Sequence, residues 1–227
     1  MRNALILCSG GLDSVALTYS LRGSVGHMVV LFLNYGQRSL MQEEKFAKLV
    51  ARRLLAEFVS VDLLWLKQIC PTKLTTDSEL PSPDITDVSR SQKDILHYWV
   101  PCRNALFVVI GLAFAESYDL QGKGVYDVYI GIKNEGQVPM KDTTPSFLKA
   151  MNVVAMEATH KGNYRVIAPF LLLDKVDILK QCLAVPWGET YSCYAGTEKH
   201  CGKCESCLLR KKAFYWGNIQ DPTEYLS

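Results

Sequence analysis

The sequence lacks several features that would each define a class of protein. No stretch approaches the roughly 20 apolar residues that a membrane span needs, and there is no internal repeat or low-complexity segment. The net charge is only +2 over 227 residues, which argues against a broad nucleic-acid surface. The chain also lacks the Gly-Lys-Ser/Thr of a Walker loop and the Gly-x-Gly-x-x-Gly of a dinucleotide turn. We therefore expect no membrane partner and no nucleic-acid partner.

From the sequence we expect neither a secretory signal nor a disulfide framework. Met1 to Asn3 lead straight into an apolar run, without a long apolar segment that ends at a small-residue cleavage site. Four of the eight cysteines lie within fifteen residues near the C-terminus, and the others are scattered. This usage indicates metal ligands or reduced thiols, so we expect a cytoplasmic protein.

Apolar runs alternate with helical patterns in the first part of the chain. Strands are predicted at 5–7, 28–33 and 58–62, and helices at 15–21 and around an amphipathic pattern of Phe46, Leu49, Val50 and Leu54. Further along, helices are predicted at 105–117, 147–156 and from the N-cap Asp174, and strands at 125–131 and 164–170. This order predicts an α/β fold with a doubly wound, mainly parallel sheet. We expect a main domain at 1–185 and a C-terminal segment at 186–227 that packs on it.

The first strand is followed by Ser9-Gly10-Gly11-Leu12-Asp13-Ser14 and then by a helical pattern. Glycines allow close approach of the backbone to an anion, and the first amides of a helix donate to it. Asp13 is a candidate Mg²⁺ ligand. The loop is therefore a predicted phosphate site.

Three other segments lie next to the end of a predicted strand or the start of a predicted helix. They are Asn34-Tyr35-Gly36-Gln37-Arg38, Arg103-Asn104, and the loop after Gly131 that contains Lys133 and Asp142. Ligands of doubly wound sheets bind beyond the carboxyl ends of the strands. Arg103 and Asn104 are equally compatible with a structural cap. The irregular stretch 71–95 is interpreted either as a lid or as a surface linker.

The C-terminal cysteines have the spacing of a metal site: Cys193-x7-Cys201-x2-Cys204-x2-Cys207. Four thiolates without an open position indicate structural Zn²⁺, and an iron–sulfur site is the alternative. His200 adjoins Cys201 without a necessary role, and Arg210 is a candidate for facing substrate.

These motifs together carry a resemblance to a known family. The Ser9–Ser14 loop resembles the PP-loop of ATP pyrophosphatases, and with Asn34–Arg38, Val100–Asn104 and the cysteine segment through Arg210 the whole chain resembles the 7-cyano-7-deazaguanine synthase (QueC) family. The resemblance implies an adenine nucleotide alpha hydrolase-like fold. It also implies that ATP, converted to AMP and pyrophosphate, activates the carboxylate of 7-carboxy-7-deazaguanine, and that ammonia then gives the amide and finally the nitrile, a queuosine precursor.

The resemblance carries residue roles as well. Catalytic roles are expected for Asp13, Arg38, Arg103 and Lys133. Nucleotide-binding roles are expected for Leu7, Cys8, Ser9, Gly10, Gly11, Leu12, Asp13, Ser14, Asn34, Tyr35, Gln37, Asn104, Gly131 and Asp142. The expected cofactors are ATP, Mg²⁺ and structural Zn²⁺, and a homodimer is expected from the family.

One segment departs from the family pattern. Where the family has Gly-x-x-x-x-Asp-x-x-Gly-Tyr-Pro-Asp-Cys-Arg, only Gly131 and Asp142 match in the 131–144 loop. That pattern belongs to the nucleobase side of the family's pocket, so the acceptor and base recognition are open. The acceptor is either ammonia or the N-terminal amine of a partner protein, as implied for QueC-like enzymes of antiphage operons. A tRNA-modifying enzyme or a non-catalytic nucleotide-binding module is disfavoured.

Overall fold

Five parallel strands form one sheet, with helices on both of its faces. The computed structural model describes residues 1–82, 96–134 and 139–226. The strands are β1 (Asn3–Leu7), β2 (Met28–Asn34), β3 (Glu57–Asp62), β4 (Tyr126–Ile130) and β5 (Val166–Ile167), in the order β3-β2-β1-β4-β5. The chain steps outward from β1 to β2 and β3 and then returns to the other side of β1 for β4. The predicted doubly wound α/β class is confirmed.

Helices follow every strand in the described residues, the five predicted ones and two that the sequence analysis did not predict, at Trp65–Ile69 and Glu205–Gly217. They are α1 (Leu12–Ser20), α2 (Leu40–Arg53), α3 (Trp65–Ile69), α4 (Arg103–Leu120), α5 (Pro145–Ala158), α6 (Lys175–Gln181) and α7 (Glu205–Gly217), with 3₁₀ turns at Lys141–Thr143 and Trp187–Glu189. The predicted capping of α6 is confirmed, because the Asp174 side chain accepts from the Asp177 amide at 2.8 Å. No helix in the described part of the chain is long and apolar enough to cross a membrane.

The two faces of the sheet bury two separate apolar clusters, because successive side chains of a strand point to opposite sides. Leu5 and Leu7 pack with α3, α4 and α5, whereas Ala4 and Ile6 pack with α1, α2, α6 and α7. Because both faces are covered, β1 reads as a continuous apolar run in the sequence. The segment that follows residue 185 contributes Trp187 to the second cluster. The boundary at 185 stays a prediction.

One predicted strand is shorter in the structure, and two predicted loops lie partly outside the described residues. The strand predicted at 164–170 is limited to Val166–Ile167. Pro169 has no amide to donate to a strand, and the chain turns there with a hydrogen bond from the Leu171 amide to the Ala168 carbonyl at 3.2 Å. In the predicted 71–95 loop, residues 71–82 are irregular and 83–95 lie outside the described residues. In the predicted 132–145 loop, 135–138 also lie outside them.

Candidate active site

A cavity of about 360 Å³ opens at the carboxyl ends of β1, β2 and β4. Its walls come from the loop after β1, the segments after β2 and β4, the starts of α4 and α6, and the segment around Tyr191. The order of the strands reverses between β1 and β4, and ligands of doubly wound sheets bind at such a point. The cavity is therefore where the fold predicts a ligand site.

The Ser9–Ser14 loop forms one wall and turns tightly at Gly10. Gly10 has φ +73°, and a Cβ there would lie 2.5 Å from the Glu43 carbonyl oxygen, so only glycine fits. The Ser14 hydroxyl accepts from the Ser9 amide and donates to the Gly11 carbonyl, both at 3.2 Å. Among the described residues no side chain caps α1 at Gly11, so the amides of its first turn are available to an anion.

The end of β4 approaches the start of α1 very closely. A Cβ on Gly131 would lie 3.3 Å from both the backbone nitrogen and the Cα of Ser14. Backbone atoms in the first turn of a helix cannot rotate away from such a contact. Gly131 therefore sets the distance between the β4 edge of the cavity and the predicted phosphate loop.

Asp13 carries the charge at this wall and is bracketed by two lysines. Its Oδ2 lies 3.0 Å from Lys175 Nζ and 3.7 Å from Lys133 Nζ. Burial raises the pKa of Asp13, but the two ammonium groups outweigh it and hold the pKa below its usual value. Its other oxygen, Oδ1, is buried and has no hydrogen-bond partner among the described residues.

The start of α4 brings a third cation, Arg103, to the cavity. Arg103 donates to the Tyr35 hydroxyl at 3.3 Å, and its guanidinium carbon lies 5.6 Å from the centre of that ring. Burial lowers the pKa of Arg103, but Tyr35 and Asp142 outweigh it, so the group stays charged. The neighbouring Asn104 donates to the Asp142 carbonyl at 3.3 Å instead of capping the helix. Burial raises the pKa of the Asp142 carboxyl, whose Oδ1 has no partner within the described ranges.

A half-buried carboxylate, Glu43 of α2, lines the cavity between these walls. It accepts from the Ser39 hydroxyl at 2.6 Å and from the Gln37 amide at 3.0 Å. Gln37 itself accepts from the Tyr35 amide at 2.9 Å. Burial raises the pKa of Glu43 above its usual value. The segment after β2 and the start of α2 thus form one hydrogen-bonded wall.

Most of the residues predicted for the site line this one cavity. They are Leu7, Cys8, Ser9, Gly11, Leu12, Asp13, Ser14, Tyr35, Gln37, Arg103, Asn104, Gly131 and Lys133. Four others do not line it: Gly10, Asn34, Arg38 and Asp142. Asn34 donates to Asp62 at 2.8 Å, and Arg38 donates to the Ser78 carbonyl at 2.6 Å. The roles predicted for all of these residues, inside and outside the cavity, stay predictions.

Sequence reasoning missed Lys175 and Glu43. Lys175 follows the N-cap of a helix, where a lysine is ordinarily a solvated side chain, and nothing in its spacing connects it to Asp13. Glu43 lies among the charges of an amphipathic helix and gives no signal of burial. Both become visible only when the sheet brings their elements to its carboxyl edge.

The four C-terminal cysteines converge on one point. Their sulfurs all lie within 4.8 Å of one another, and the Cys201–Cys207 and Cys193–Cys204 pairs are 3.9 Å and 4.0 Å apart. Four sulfurs about 2.3 Å from a tetrahedral zinc would be about 3.8 Å apart. The Cys201 amide points at Cys193 Sγ at 3.3 Å, as expected around a thiolate ligand. The cluster is therefore able to hold a metal ion.

Two side chains beside the cluster are structural. Burial, together with the Arg210 charge, lowers the pKa of His200 to about 4, and its Nε2 accepts from the Ser192 amide at 3.1 Å. Arg210, predicted to face substrate, is buried and donates instead to Thr190, Ser192 and Thr223 and to the Trp187 carbonyl. It joins α7 to the segment that leads to the cysteines.

The sheet order, the glycine loop at the start of α1 and the cavity beside it define a PP-loop nucleotide-binding protein of the doubly wound α/β class. The family model described as queuosine biosynthesis protein QueC matches residues 3–217, so the chain belongs to the QueC family.

Curated relatives agree over nearly the whole length. The chain is 37% identical over 230 residues to the 7-cyano-7-deazaguanine synthase of Methanosphaera stadtmanae, an alignment that covers 98% of this chain and 97% of that protein. It is 35% identical over 225 residues to the protein of that name from Methanothermobacter thermautotrophicus, with 98% of each chain covered. The relative from Methanobrevibacter smithii is 32% identical, with 99% of this chain and 98% of that one covered.

Proposed function

We propose that this protein is a 7-cyano-7-deazaguanine synthase that uses ATP to activate a carboxylate and then joins it to nitrogen. The main support is that the uncapped amides of α1 and the Lys133 ammonium lie at the same cavity. The relatives of this chain are named 7-cyano-7-deazaguanine synthase. Amides and ammonium groups recognise phosphate, and the sheet's switch point holds a nucleotide in this fold class.

The residues present fit the predicted Mg²⁺. The buried Oδ1 of Asp13, which has no partner among the described residues, is a carboxylate oxygen of the kind that Mg²⁺ prefers. In the proposed site Asp13 holds the ion and the Ser9–Ser14 loop holds the β- and γ-phosphates. The ion, when bound, neutralises charge on the phosphates.

The proposed reaction converts the carboxylate first to an amide and then to a nitrile. An oxygen of the substrate carboxylate attacks the α-phosphorus of ATP, and the bond from that phosphorus to the bridging oxygen breaks and releases pyrophosphate. Ammonia then attacks the acyl carbon, loses a proton, and displaces AMP to leave the amide. The amide oxygen then attacks the α-phosphorus of a second ATP and releases a second pyrophosphate. Loss of AMP, which carries away that oxygen, and of both amide protons leaves the nitrile.

Arg103 and Lys133 are proposed to stabilise the α-phosphate as it becomes pentavalent. Arg103 is half-buried and stays charged beside Tyr35, so its charge is only partly screened by solvent. Lys133 lies in the segment after β4; its side chain is only 5% exposed, and its Nζ lies 3.7 Å from Asp13 Oδ2. Positioning and electrostatic stabilisation supply most of the rate in such a transfer.

The four-cysteine cluster is proposed to hold structural Zn²⁺. Its sulfur spacing suits a closed tetrahedral site, and His200 is engaged with the Ser192 amide. The alternative in which a partner protein's amine accepts the deazaguanine gains no support from the relatives or from the residues that the structure describes. Ammonia is therefore the proposed acceptor.

The test is to incubate the protein with 7-carboxy-7-deazaguanine, ATP, Mg²⁺ and ammonium and to follow AMP, amide and nitrile by mass spectrometry. We expect nitrile and AMP, with AMP formation dependent on the deazaguanine. Asp13→Ala should lose activity, whereas the control Asp77→Ala, on an exposed residue outside the cavity, should keep it. Formation of ADP instead of AMP, or full activity in Asp13→Ala, would contradict the proposal.

A further inference from the structure

Two carboxylates line the cavity in the described part of the chain, and they differ in their partners. Asp13 Oδ2 lies 3.0 Å from the Lys175 ammonium and 3.7 Å from that of Lys133. Glu43 of α2 forms no ion pair with any lysine or arginine among the described residues, and its side chain interacts there with neutral donors. The cavity therefore contains one carboxylate that has cations beside it and one that does not.

Two hydrogen bonds fix the Glu43 carboxylate without using all of its acceptor positions. Oε1 accepts from the Ser39 hydroxyl at 2.6 Å, and Oε2 accepts from the Gln37 amide at 3.0 Å. Gln37 is fixed in turn, because its oxygen accepts from the Tyr35 amide at 2.9 Å. A carboxylate offers about four acceptor positions, so each oxygen of Glu43 is able to accept about one further hydrogen bond.

Glu43 lies close to the predicted phosphate loop. A Cβ on Gly10 would lie 2.5 Å from the Glu43 carbonyl oxygen, so α2 packs directly against that loop. Burial raises the pKa of Glu43 and outweighs its two hydrogen bonds and the charge of Arg103. Cys8 and Tyr35 are the other ionisable groups that face the carboxylate among the described residues, and burial raises the pKa of both, so they are neutral at pH 7.

This carboxylate is suited to a small cation. Moving a carboxylate partly out of water costs free energy that a cation would offset, and its charge repels nucleotide phosphates. The deazaguanine base offers neutral N–H donors, which leave the charge uncompensated. Ammonium carries both the opposite charge and N–H donors for the remaining acceptor positions. It is also the main form of ammonia at neutral pH, and it must lose a proton before its nitrogen can attack.

We propose that Glu43 binds ammonium in this cavity and is the base that takes its proton in the amide-forming step. One proton passes from ammonium to the Glu43 carboxylate, and the freed lone pair forms the bond from nitrogen to the acyl carbon. AMP leaves with the electron pair of its bond to that carbon. The second proton of the new amide nitrogen is lost to water, and Glu43 then releases its own proton to solvent. The inference rests on the proposed function for the acyl adenylate and adds the residue that recognises the acceptor.

The test variant is Glu43→Gln, which removes the charge and the basicity and keeps the shape. The new side chain is able to keep both hydrogen bonds, because its oxygen accepts from Gln37 and its amide donates to the Ser39 hydroxyl. The matched control is Glu44→Gln, one residue further along α2. Glu44 does not line the cavity and forms a 2.8 Å ion pair with Lys48 on the surface.

The first measurement compares two nitrogen acceptors at saturating ATP and 7-carboxy-7-deazaguanine. Ammonium gives the amide, whereas hydroxylamine, which is uncharged at neutral pH and needs no base to free its lone pair, gives the hydroxamate. Glu43→Gln should lower kcat/KM for ammonium about 100-fold, because a positioned base contributes about 10²–10⁴-fold. It should form hydroxamate at the parental rate. Glu44→Gln should match the parent with both acceptors.

The second measurement is the pH profile of kcat/KM for total ammonium between about pH 6 and about pH 8. In Glu43→Gln only free ammonia reacts, so the value should rise about tenfold per pH unit. The parent should give a nearly level profile that falls only toward the raised pKa of Glu43, because its carboxylate takes up ammonium itself. Cys8 and Tyr35 stay neutral and Arg103 stays charged over this range, so these groups do not create the difference.

The results separate this inference from the proposed function. Equal losses with ammonium and hydroxylamine, as a purely structural Glu43 at the start of α2 would give, would overturn the inference. Parental use of ammonium by Glu43→Gln would overturn it as well. Adenylation is followed independently by deazaguanine-dependent exchange of labelled pyrophosphate into ATP, which needs no acceptor. No exchange by the parent would refute the proposed function and the inference with it, whereas exchange in both proteins with unchanged ammonium use would refute the inference alone.

Discussion

Replacement of Gly131 by alanine tests how closely β4 must approach the phosphate loop. The added Cβ would lie 3.3 Å from the nitrogen and Cα of Ser14 and 3.4 Å from the carbonyl carbon of Asp13. Carbon atoms pack best at about 3.5–4.0 Å, so the two backbones must separate by a few tenths of an ångström. The contacts are with backbone atoms, and no side-chain rotation relieves them.

The expected cost follows from this overlap. Forcing an extra methyl group into a closely packed site costs about 1–3 kcal/mol of unfolding free energy. A Gly→Ala change that fits its backbone stabilises by about 0.4–1 kcal/mol through the unfolded chain, so Gly131→Ala should be destabilising on balance. Displacement of the α1 amides should also lower kcat/KM for ATP by about tenfold, less than the about 100-fold expected for a shift of 1 Å.

The matched control is Gly188→Ala. Its Cβ would meet nothing closer than 3.7 Å, which is ordinary van der Waals contact. Urea unfolding should give Gly188→Ala parental or slightly greater stability, and pyrophosphate release should be unchanged. If Gly131→Ala matches Gly188→Ala in both assays, the close approach of β4 to α1 has no energetic consequence and the reasoning is refuted.

Three further outcomes are expected. Cys204→Ser should remove the stoichiometric zinc that elemental analysis finds in the purified parent protein, whereas Cys182→Ser, outside the cluster, should leave the zinc content unchanged. Equal zinc content in the two variants would contradict a zinc site at the four cysteines. Asp127→Asn should cost about 2–3 kcal/mol at pH 7, because two arginines hydrogen-bond this buried carboxylate and hold its pKa low against the effect of burial. Because the pKa of Asp127 is lower in the folded than in the unfolded protein, its ionised form stabilises the fold above the unfolded-state pKa of about 3.9, and this contribution is lost as the pH falls through the folded-state pKa. The difference in unfolding free energy between parent and variant, measured in urea, should therefore shrink below about pH 4. A difference that stays constant with pH would contradict this reasoning. Arg210→Lys should lower unfolding free energy by about 3 kcal/mol with little effect on KM for ATP, because lysine cannot reproduce the fork that joins its four partners; a selective rise in KM would instead place it at the substrate.

The sequence by itself determined the sheet and the location of its ligand site. Residues of β1 are buried on both faces of the sheet, so the strand is a continuous apolar run. The two glycines that follow it indicate a tight turn that leads into a helix. The cysteine spacing likewise specified the four-cysteine cluster, because two-residue gaps bring the sulfurs together within a few residues of chain. These signals are local, so periodicity and spacing are enough to detect them.

The tertiary structure decided which charged groups share the cavity. Lys175 is 162 residues from Asp13 in the chain, and only the return of the chain to the β4 side of the sheet brings them to 3.0 Å. Arg210 is as basic as any predicted site residue, yet burial and four hydrogen bonds make it structural. Charge along a sequence does not specify burial or partner, because both depend on long-range packing.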